Sequence, residues 1–342
     1  MERLLTRQTM KHGFRLFVAV SLISLAAVIF FTRGQESWLS LRKLRPEYIL
    51  LALLLMAASW AFASLKVKVL AWGIHTSVSF WNVFKSNLGN LFVGAVTPFG
   101  LGGVPMQVYM LYRAGVGFEE ALVTSYVGNY LTQVILFFTC LGVLVFHHDL
   151  IAFLGVKILL GFVTVIYLAA FIVGLMAIIR PRETKRFLGK TGLWLEKRLN
   201  WKMFRNRAWL KTALRGLDRV LFCIGIYFRQ AKGKFILAIF MAAVSLCLQL
   251  STASAILAGL GIHHSFVDVL MIQVVLQFIL YFSPTFGGSG VAEFGAATLM
   301  ATFFASTSTA VLGVYVLLWR FFSYFLAVGL GGVVVFGTMA QK

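Results

Sequence analysis

Two charged residues lie within apolar sequence near the end of the chain, where a charge is costly unless it serves a purpose. Arg320 falls about twelve residues into the apolar stretch 309–336, and Glu293 follows a glycine-rich break by three residues. An arginine at the centre of a bilayer costs roughly 2.5–3.5 kcal/mol on insertion scales, so it must face protein or water. We predict that Arg320 binds an anion, with Glu293 as its counter-ion or as a proton-coupling group. The alternative is a structural ion pair that fixes helix register.

Two other apolar stretches are interrupted by similar clusters of proline and glycine. Prolines and glycines at this density cannot continue an ordinary helix, and each arm is shorter than the roughly 20 residues of a full span. We therefore predict two broken, re-entrant helical hairpins, 83–112 and 267–305, whose prolines Pro98 and Pro284 are 186 positions apart (284 − 98). The interruptions read Thr97-Pro98-Phe99-Gly100-Leu101-Gly102-Gly103-Val104-Pro105 and Ser283-Pro284-Thr285-Phe286-Gly287-Gly288-Ser289-Gly290.

The placement of these hairpins, one in each half of the chain, predicts an inverted repeat around a substrate site near the bilayer midplane. A break frees backbone N–H and C=O groups that lipid cannot satisfy, so it must be buried in protein or line a wet cavity. The N-terminal ends of short helices are also suited to anions, and glycine allows close approach. We predict an aqueous cavity that accepts a phosphate-bearing lipid head. Simple kinks in packed helices are the alternative.

The composition places these motifs in a membrane protein. Of 342 residues, 60% are hydrophobic and 12% are charged, against roughly a quarter charged in soluble domains. A soluble enzyme, a disordered tail and a disulfide scaffold are excluded. We predict an all-α polytopic membrane protein, a single membrane domain over 1–342 with halves 14–179 and 235–337. It should have about six full transmembrane helices besides the hairpins, at 14–32, 49–65, 125–146, 157–179, 235–257 and 309–336.

The net charge of +20 is concentrated in the segment 180–234, which holds 16 basic and 3 acidic residues. A basic loop between spans marks the cytoplasmic side, so we predict cytoplasmic N- and C-termini in the cell (inner) membrane. The leucine spacing predicts an amphipathic helix on anionic inner-leaflet headgroups rather than a nucleic-acid site. Lys66, Lys68 and Lys85 are placed on the same cytoplasmic side, after the span 49–65.

At these motifs the sequence resembles the membrane domain of the lysylphosphatidylglycerol synthase/flippase proteins, from about Leu51 to Gly332. The resemblance implies movement of a lipid, or of a lipid-linked head, between leaflets. It rests on Asn90 with Thr97-Pro98-x-Gly100-x-Gly102-Gly103-x-Pro105, on Pro284-Thr285-x-Gly287-Gly288 with Glu293, and on Arg320. The predicted substrate-binding residues are Arg320, Glu293, Asn90, Thr97, Pro98, Gly100, Gly102, Gly103, Gln107, Ser283, Pro284, Thr285, Gly287 and Gly288.

The first hairpin departs from the family pattern at two positions. Val104 stands where the family often has an acidic residue, and Gln107 where a basic residue is common. The departures point to a substrate unlike an aminoacylated phospholipid. Because the chain ends at Lys342, soon after the last span, we also expect no aminoacyltransferase domain and no synthase activity.

The predicted function is a flippase or transporter for an anionic phospholipid or an isoprenoid-phosphate lipid, without a cofactor. The sequence has no P-loop, and its His-His doublets at 147–148 and 263–264 lack the spaced partners of a metal site. A membrane enzyme that acts on lipid heads is one alternative. A non-transporting scaffold of a lipid-modifying complex is the other.

Overall fold

The computed structural model describes residues 42, 44–146, 161, 164, 165, 168, 183, 225–227, 229–304 and 307–340. These residues form α-helices joined by short loops and contain no strand, which confirms the all-α prediction for this part of the chain. The predicted span 14–32, and most of the predicted span 157–179 and of the basic segment 180–234, lie outside the described residues. The helices are α1 Pro46–Gly73, α2 Phe80–Ala95, α3 Gly103–Arg113, α4 Phe118–Phe146, α5 Lys232–Gly259, α6 Phe266–Leu280, α7 Val291–Phe303 and α8 Thr309–Ala340.

Four of these helices are long and apolar enough to cross a membrane. They are α1, α4, α5 and α8, with 28, 29, 28 and 32 residues. At about 1.5 Å per residue each exceeds the roughly 30 Å of hydrocarbon in a bilayer. The protein is therefore an integral multi-pass membrane protein. These helices contain four of the predicted spans, while the total of six remains a prediction.

The first long helix extends farther than predicted. The sequence analysis ended the span at Leu65 and placed Lys66 and Lys68 in the cytoplasm, but α1 continues to Gly73. The predicted end at Leu65 was wrong because lysine is a good helix former and no proline or glycine interrupts the chain before Gly73. The cytoplasmic placement of Lys66 and Lys68 stays a prediction. The helix ends where His75 adopts a positive φ of 61°. As a result, Lys66 is buried within the helix bundle.

Each predicted interruption separates two helices that are short for a membrane span. The arms of the first pair, α2 and α3, have 16 and 11 residues. The arms of the second pair, α6 and α7, have 15 and 13 residues. Between the arms lies a 3₁₀ turn, Pro98–Gly100 in the first pair and Phe286–Gly288 in the second. We call these the first turn and the second turn.

The two turns have nearly the same backbone conformation. Phe99 and Gly100 have φ of 54° and 66°, and Gly287 and Gly288 have φ of 57° and 70°. The third residue of each turn donates its N–H to the carbonyl three residues earlier, at 3.2 Å in both. Left-handed φ is unfavourable for a residue with a side chain, so Phe99 holds a conformation that glycine adopts freely in the second turn.

Corresponding helices in the two halves of the described chain begin at a nearly constant separation in the sequence. α1 and α5 begin 186 positions apart (232 − 46), as do α2 and α6 (266 − 80). α1 packs along α5, and at their contact Ser59 and Ser245, also 186 positions apart, exchange hydrogen bonds. Ser59 Oγ donates to Ser245 O at 2.8 Å, and Ser245 Oγ donates to Ser59 O at 2.9 Å. A reciprocal contact of this kind is what a two-fold axis between two helices produces.

We expect this serine pair to contribute modestly but cooperatively to the packing of α1 on α5. Hydrogen bonds between membrane helices contribute about 0.6 kcal/mol on average and at most about 1.7 kcal/mol. A double-mutant cycle of Ser59→Ala and Ser245→Ala, followed by unfolding in detergent, should therefore give a coupling energy in that range. Ser64→Ala is the matched control, since Ser64 bonds only to Trp60 O of its own helix. A coupling indistinguishable from zero would contradict the expectation.

Candidate functional site

The two turns lie next to each other and border a cavity. Cα atoms of the first turn lie within 8 Å of those of the second. The adjacent cavity has a volume of about 300 Å³. At roughly 30 Å³ per water, it could hold on the order of ten waters. From the predicted site, its lining includes Asn90, Gly100, Ser283, Thr285, Gly287, Gly288 and Arg320.

Arg320 is the buried cation of this cavity. Its side chain is 3% exposed, and its Nε donates to Glu293 Oε1 at 2.9 Å. Nη2 donates to Gly287 O at 3.0 Å and to Ser289 Oγ at 3.4 Å, and the guanidinium lies 4.2 Å from the centroid of the Tyr324 ring. Nη1 has no acceptor among the described residues. Two N–H donors of a fixed, planar group thus remain for a ligand.

Glu293 is fully engaged within the protein. It occupies the first turn of α7, where Oε2 accepts the N–H of Gly290 at 2.6 Å, while Oε1 accepts from Arg320. The carboxylate therefore caps its helix and neutralises the guanidinium at the same time. The structure brings the two predicted charges together as an ion pair, and the pair also orients Arg320 beside the second turn.

The helix that carries Arg320 widens immediately after it. Residues Phe321–Phe325 form a π-helical turn within α8. Such turns are rare in helices and frequently occur at functional sites. Ser323 and Tyr324 line the cavity, and Tyr324 Oη donates to Ala95 O at 3.3 Å, so α8 reaches the end of α2. Neither residue was predicted to belong to the site, since neither proline nor glycine marks the π-helical turn.

A neutral amide cluster in the first half faces the cavity. Asn90 Nδ2 donates to Gln107 Oε1 at 3.3 Å and to Asn129 Oδ1 at 3.2 Å, and Asn129 Nδ2 donates to Gln107 Oε1 at 2.9 Å. Asn90 and Asn129 line the cavity, while Gln107 is buried behind them. Asn129 stands 11 residues into α4 (129 − 118), as Arg320 stands 11 residues into α8 (320 − 309). The first half thus has an amide where the second has a guanidinium.

Comparison with known proteins places the chain in a family. The sequence model of the lysylphosphatidylglycerol synthase TM region matches residues 16–331. The chain belongs to this family. It is also 25% identical over 324 residues to a UPF0104 membrane protein of Archaeoglobus fulgidus, a match that covers 92% of this chain and 93% of that protein. Family membership confirms the resemblance and makes this a membrane protein of a lipid-related family.

Other predicted residues shape the first helix pair, α2 and α3, without lining the cavity. Thr97 Oγ1 donates to Val93 O at 2.7 Å and accepts the N–H of Gly102 at 3.0 Å, so it closes the end of α2. Gly103 lets α3 approach α2, because a Cβ there would lie 2.7 Å from Asn90 O. Thr97, Gly102 and Gly103 thus support the site from behind.

The two prolines of the predicted site do not line the cavity, whereas Ser283 and Thr285 do. Pro98 begins the first turn, and Pro284 precedes the second turn at an exposed position. Ser283 Oγ and Thr285 Oγ1 lie 2.8 Å apart, and both residues line the cavity.

Gln249 and Gln277 also line the cavity. These glutamines were missed, although a lone glutamine in an apolar helix is a detectable signal.

Proposed function

We propose that this chain moves lipids with an anionic, phosphate-bearing head between the leaflets of the cell membrane, without chemical change and without a cofactor. The observation that carries the proposal is the meeting of the two turns at a cavity where Arg320 Nη1 has no protein acceptor among the described residues. Irregular backbone at membrane depth is tolerated where it is buried or borders water. The two N–H groups of Nη1 can donate charge-assisted hydrogen bonds to phosphate oxygens. An anionic phospholipid and an isoprenoid phosphate share that chemistry.

The transport proposal includes an inverted repeat of re-entrant hairpins. The supporting observations are the constant offset, the matching φ angles of the two turns and the reciprocal bonds of Ser59 and Ser245. With the basic segment and both termini in the cytoplasm, α1 runs inward and α5 runs outward. The first hairpin then enters from the cytoplasm and the second from outside. Movement of one half against the other would open the cavity to each side in turn.

The size and polarity of the cavity favour a lipid head over a whole lipid. Its volume of about 300 Å³ lies at the lower end of the roughly 300–1,000 Å³ of small-molecule sites. The acyl chains can remain in the bilayer while the head crosses. Amide groups of Asn90 and Asn129 can bond to phosphate oxygens or to head-group hydroxyls.

Leaflet exchange by the purified protein tests this proposal. The full chain is reconstituted in vesicles with fluorescent phosphatidylglycerol, and an impermeant quencher then reports how much label can reach the outer leaflet. We expect all of the label to become quenchable, against about half in protein-free vesicles, whose leaflets do not exchange. Labelled lipid is re-extracted to show that it is unaltered. A chemical product would instead indicate an enzyme, and no exchange would favour a scaffold.

A second assay in the same vesicles distinguishes transport of a lipid head from transport of a free anion. The same vesicles are loaded with labelled inorganic phosphate, and its release is followed over time. The proposal predicts that phosphate stays inside while the lipid exchanges. Release of phosphate without lipid exchange would make the protein a small-anion carrier and would contradict the proposal.

A further inference from the structure

We propose that Lys66 is a second anion-binding residue of the transport path, one that contacts the phosphate-type oxyanion when the cavity faces the opposite side of the membrane. The inference rests on the proposed transport by two inverted halves. It adds a cation that neither the motifs nor the present cavity contains. The juxtaposition that carries it is the buried ammonium of Lys66 on α1 against Gly128 and Thr132 of α4.

Lys66 is a buried charge without a counter-charge. Its side chain is 6% exposed, and Nζ donates to the neutral Thr132 Oγ1 at 2.7 Å. No carboxylate among the described residues forms an ion pair with it. Burial of an uncompensated ammonium is costly, so such a residue persists where it has a use.

A second unsatisfied group lies on the adjacent stretch of α4. The hydroxyl of Ser125 is buried and has no hydrogen-bond partner among the described residues. Ser125 precedes Gly128 by three residues, which places them next to each other on one helix face. A Cβ on Gly128 would lie 3.7 Å from Lys66 Cε. A buried ammonium without a counter-charge and a buried hydroxyl without a partner thus lie against the same stretch of α4, residues 125–132, as expected of a site that receives an acceptor in another state.

The equivalence of the two halves shows where the cavity would lie in the other state. With the 186-residue offset of α1 and α5, the cavity-lining Gln249 corresponds to Ala63. α4 and α8 begin 191 positions apart (309 − 118), so Trp319 and Ser323, which also line the cavity, correspond to Gly128 and Thr132. If the two halves exchange conformations, Ala63, Gly128 and Thr132 line the cavity that opens on the opposite side of the membrane.

Packing supports the 191-residue offset independently. Gly331 of α8 lies against Leu88 and Phe92 of α2. Its equivalent in α4, Cys140, belongs to one apolar cluster with the α6 residues that correspond to Leu88 and Phe92, Val274 and Phe278. Gly331 and Cys140 thus both pack in the region of corresponding residues of α2 and α6, which agrees with the 191-residue offset.

The three lining residues predicted for the other state surround Lys66. Ala63 is one turn before it on α1, Gly128 faces its Cε, and Thr132 accepts its hydrogen bond. Arg320 and Asn129 occupy equivalent positions in the two halves, and both already line the cavity. They therefore still line it when the two halves exchange conformations. Lys66 itself corresponds to Thr252, which does not line the present cavity. Its longer side chain, however, lies against Gly128 and Thr132, so in the other state its ammonium meets the phosphate as a point charge. The head would pass from a site with Arg320 alone to one with both cations.

Thiol labelling tests whether the Lys66 site opens. In a chain with Cys140, Cys223 and Cys247 replaced by alanine, Thr132→Cys and Ser323→Cys place thiols at equivalent positions. An impermeant maleimide should label Ser323→Cys from one side of the vesicle and Thr132→Cys only from the other. If Thr132→Cys reacts from neither side while Ser323→Cys reacts, the inference is overturned, whatever the outcome of the lipid assay.

Protection of the same thiol identifies the ligand. Labelling of Thr132→Cys is compared in phosphatidylglycerol vesicles, in phosphatidylcholine vesicles, and in phosphatidylcholine vesicles with inorganic phosphate. Slower labelling with phosphatidylglycerol alone is expected and assigns the site to a lipid head. Slowing by inorganic phosphate would assign it to a free anion and so keep the anion site but contradict the lipid source. Equal rates in all three would overturn anion binding.

Exchange rates test the role of the charge itself. Lys66→Met should lower phosphatidylglycerol exchange by about tenfold or more, while Lys66→Arg should keep it within about threefold, because the arginine keeps the charge. Lys68→Met, on the same helix but only partly buried, should stay within about twofold. Exchange by folded Lys66→Met at the wild-type rate would overturn the inference. Absence of exchange by the wild type would instead reject the proposed function, and labelling would still decide whether the site opens.

Discussion

Replacing Arg320 by glutamine is expected to abolish lipid exchange and to destabilise the fold. The change leaves Glu293 buried, at 1% exposure, without its cation. Removal of one partner from a buried ion pair costs about 3–5 kcal/mol. It also removes the Nη1 donors, which have no acceptor among the described residues, so exchange should fall by about a hundredfold or more, as expected for loss of charge-assisted hydrogen bonds to the head. Leaflet exchange in vesicles and unfolding in detergent measure the two effects.

A double variant separates the binding role of Arg320 from its structural role. Arg320→Met with Glu293→Met removes both charges, and apolar replacement of a buried ion pair is often neutral or stabilising by about 1–4 kcal/mol. We therefore expect the double variant to recover its stability but not its exchange. Arg113→Gln, at the exposed end of α3, is the control and should stay within about twofold of wild type. A double variant that exchanges lipid at the wild-type rate would show that the guanidinium does not anchor the head.

Valine at position 331 is expected to separate α8 from α2. A Cβ on Gly331 would clash with Leu88 O and would lie 2.8 Å from Phe92 Cβ. The carbonyl belongs to a helix backbone and cannot rotate away, so the helices must move apart. Overpacking typically costs about 1–3 kcal/mol, and we expect Gly331→Val to reach or exceed the upper value of about 3 kcal/mol. The midpoint of unfolding in detergent and the monodisperse yield would report the loss.

Gly329 provides the matched control for this substitution. It lies two residues earlier on the same helix and is exposed, and a Cβ there would meet no atom within 4 Å. Gly329→Val changes helix propensity as Gly331→Val does, so the difference between the variants isolates the packing contact. We expect Gly329→Val to change stability by less than about 0.5 kcal/mol. Equal effects of the two variants would mean that the close approach of α8 and α2 is unimportant.

The elements of the fold that depend on local chemistry were predictable from the sequence. The density of proline and glycine at Pro98–Gly103 and Pro284–Gly290 fixed both interruptions, because those residues cannot satisfy a helical backbone. Apolar length located the four long helices. The end of α1 was misplaced since charge was taken as a boundary, although the aliphatic stem of a lysine such as Lys66 continues a helix as well as most residues do.

The site was predictable only where a residue is anomalous by its own type. Arg320 and Glu293 stand out because each is costly in an apolar segment, and their pairing follows from that cost. Gln249 carries a weaker signal of the same kind, and Tyr324 carries none, since tyrosine is ordinary in membrane helices. The position of Tyr324 at the cavity depends on the π-helical turn and on the packing of α8 against α2. Such tertiary relations are not encoded in any short stretch of sequence.

The closed ion pair of Arg320 and Glu293 has an electrical consequence. Because the carboxylate already balances the guanidinium, the empty cavity carries no net charge from this pair, and a monoanionic head makes the loaded cavity negative. On the proposed function, each head that crosses therefore transfers one negative charge, which a membrane voltage favours or opposes by about 2.3 kcal/mol per 100 mV. An inside-negative cell would draw such lipids outward with no fuel other than its resting potential.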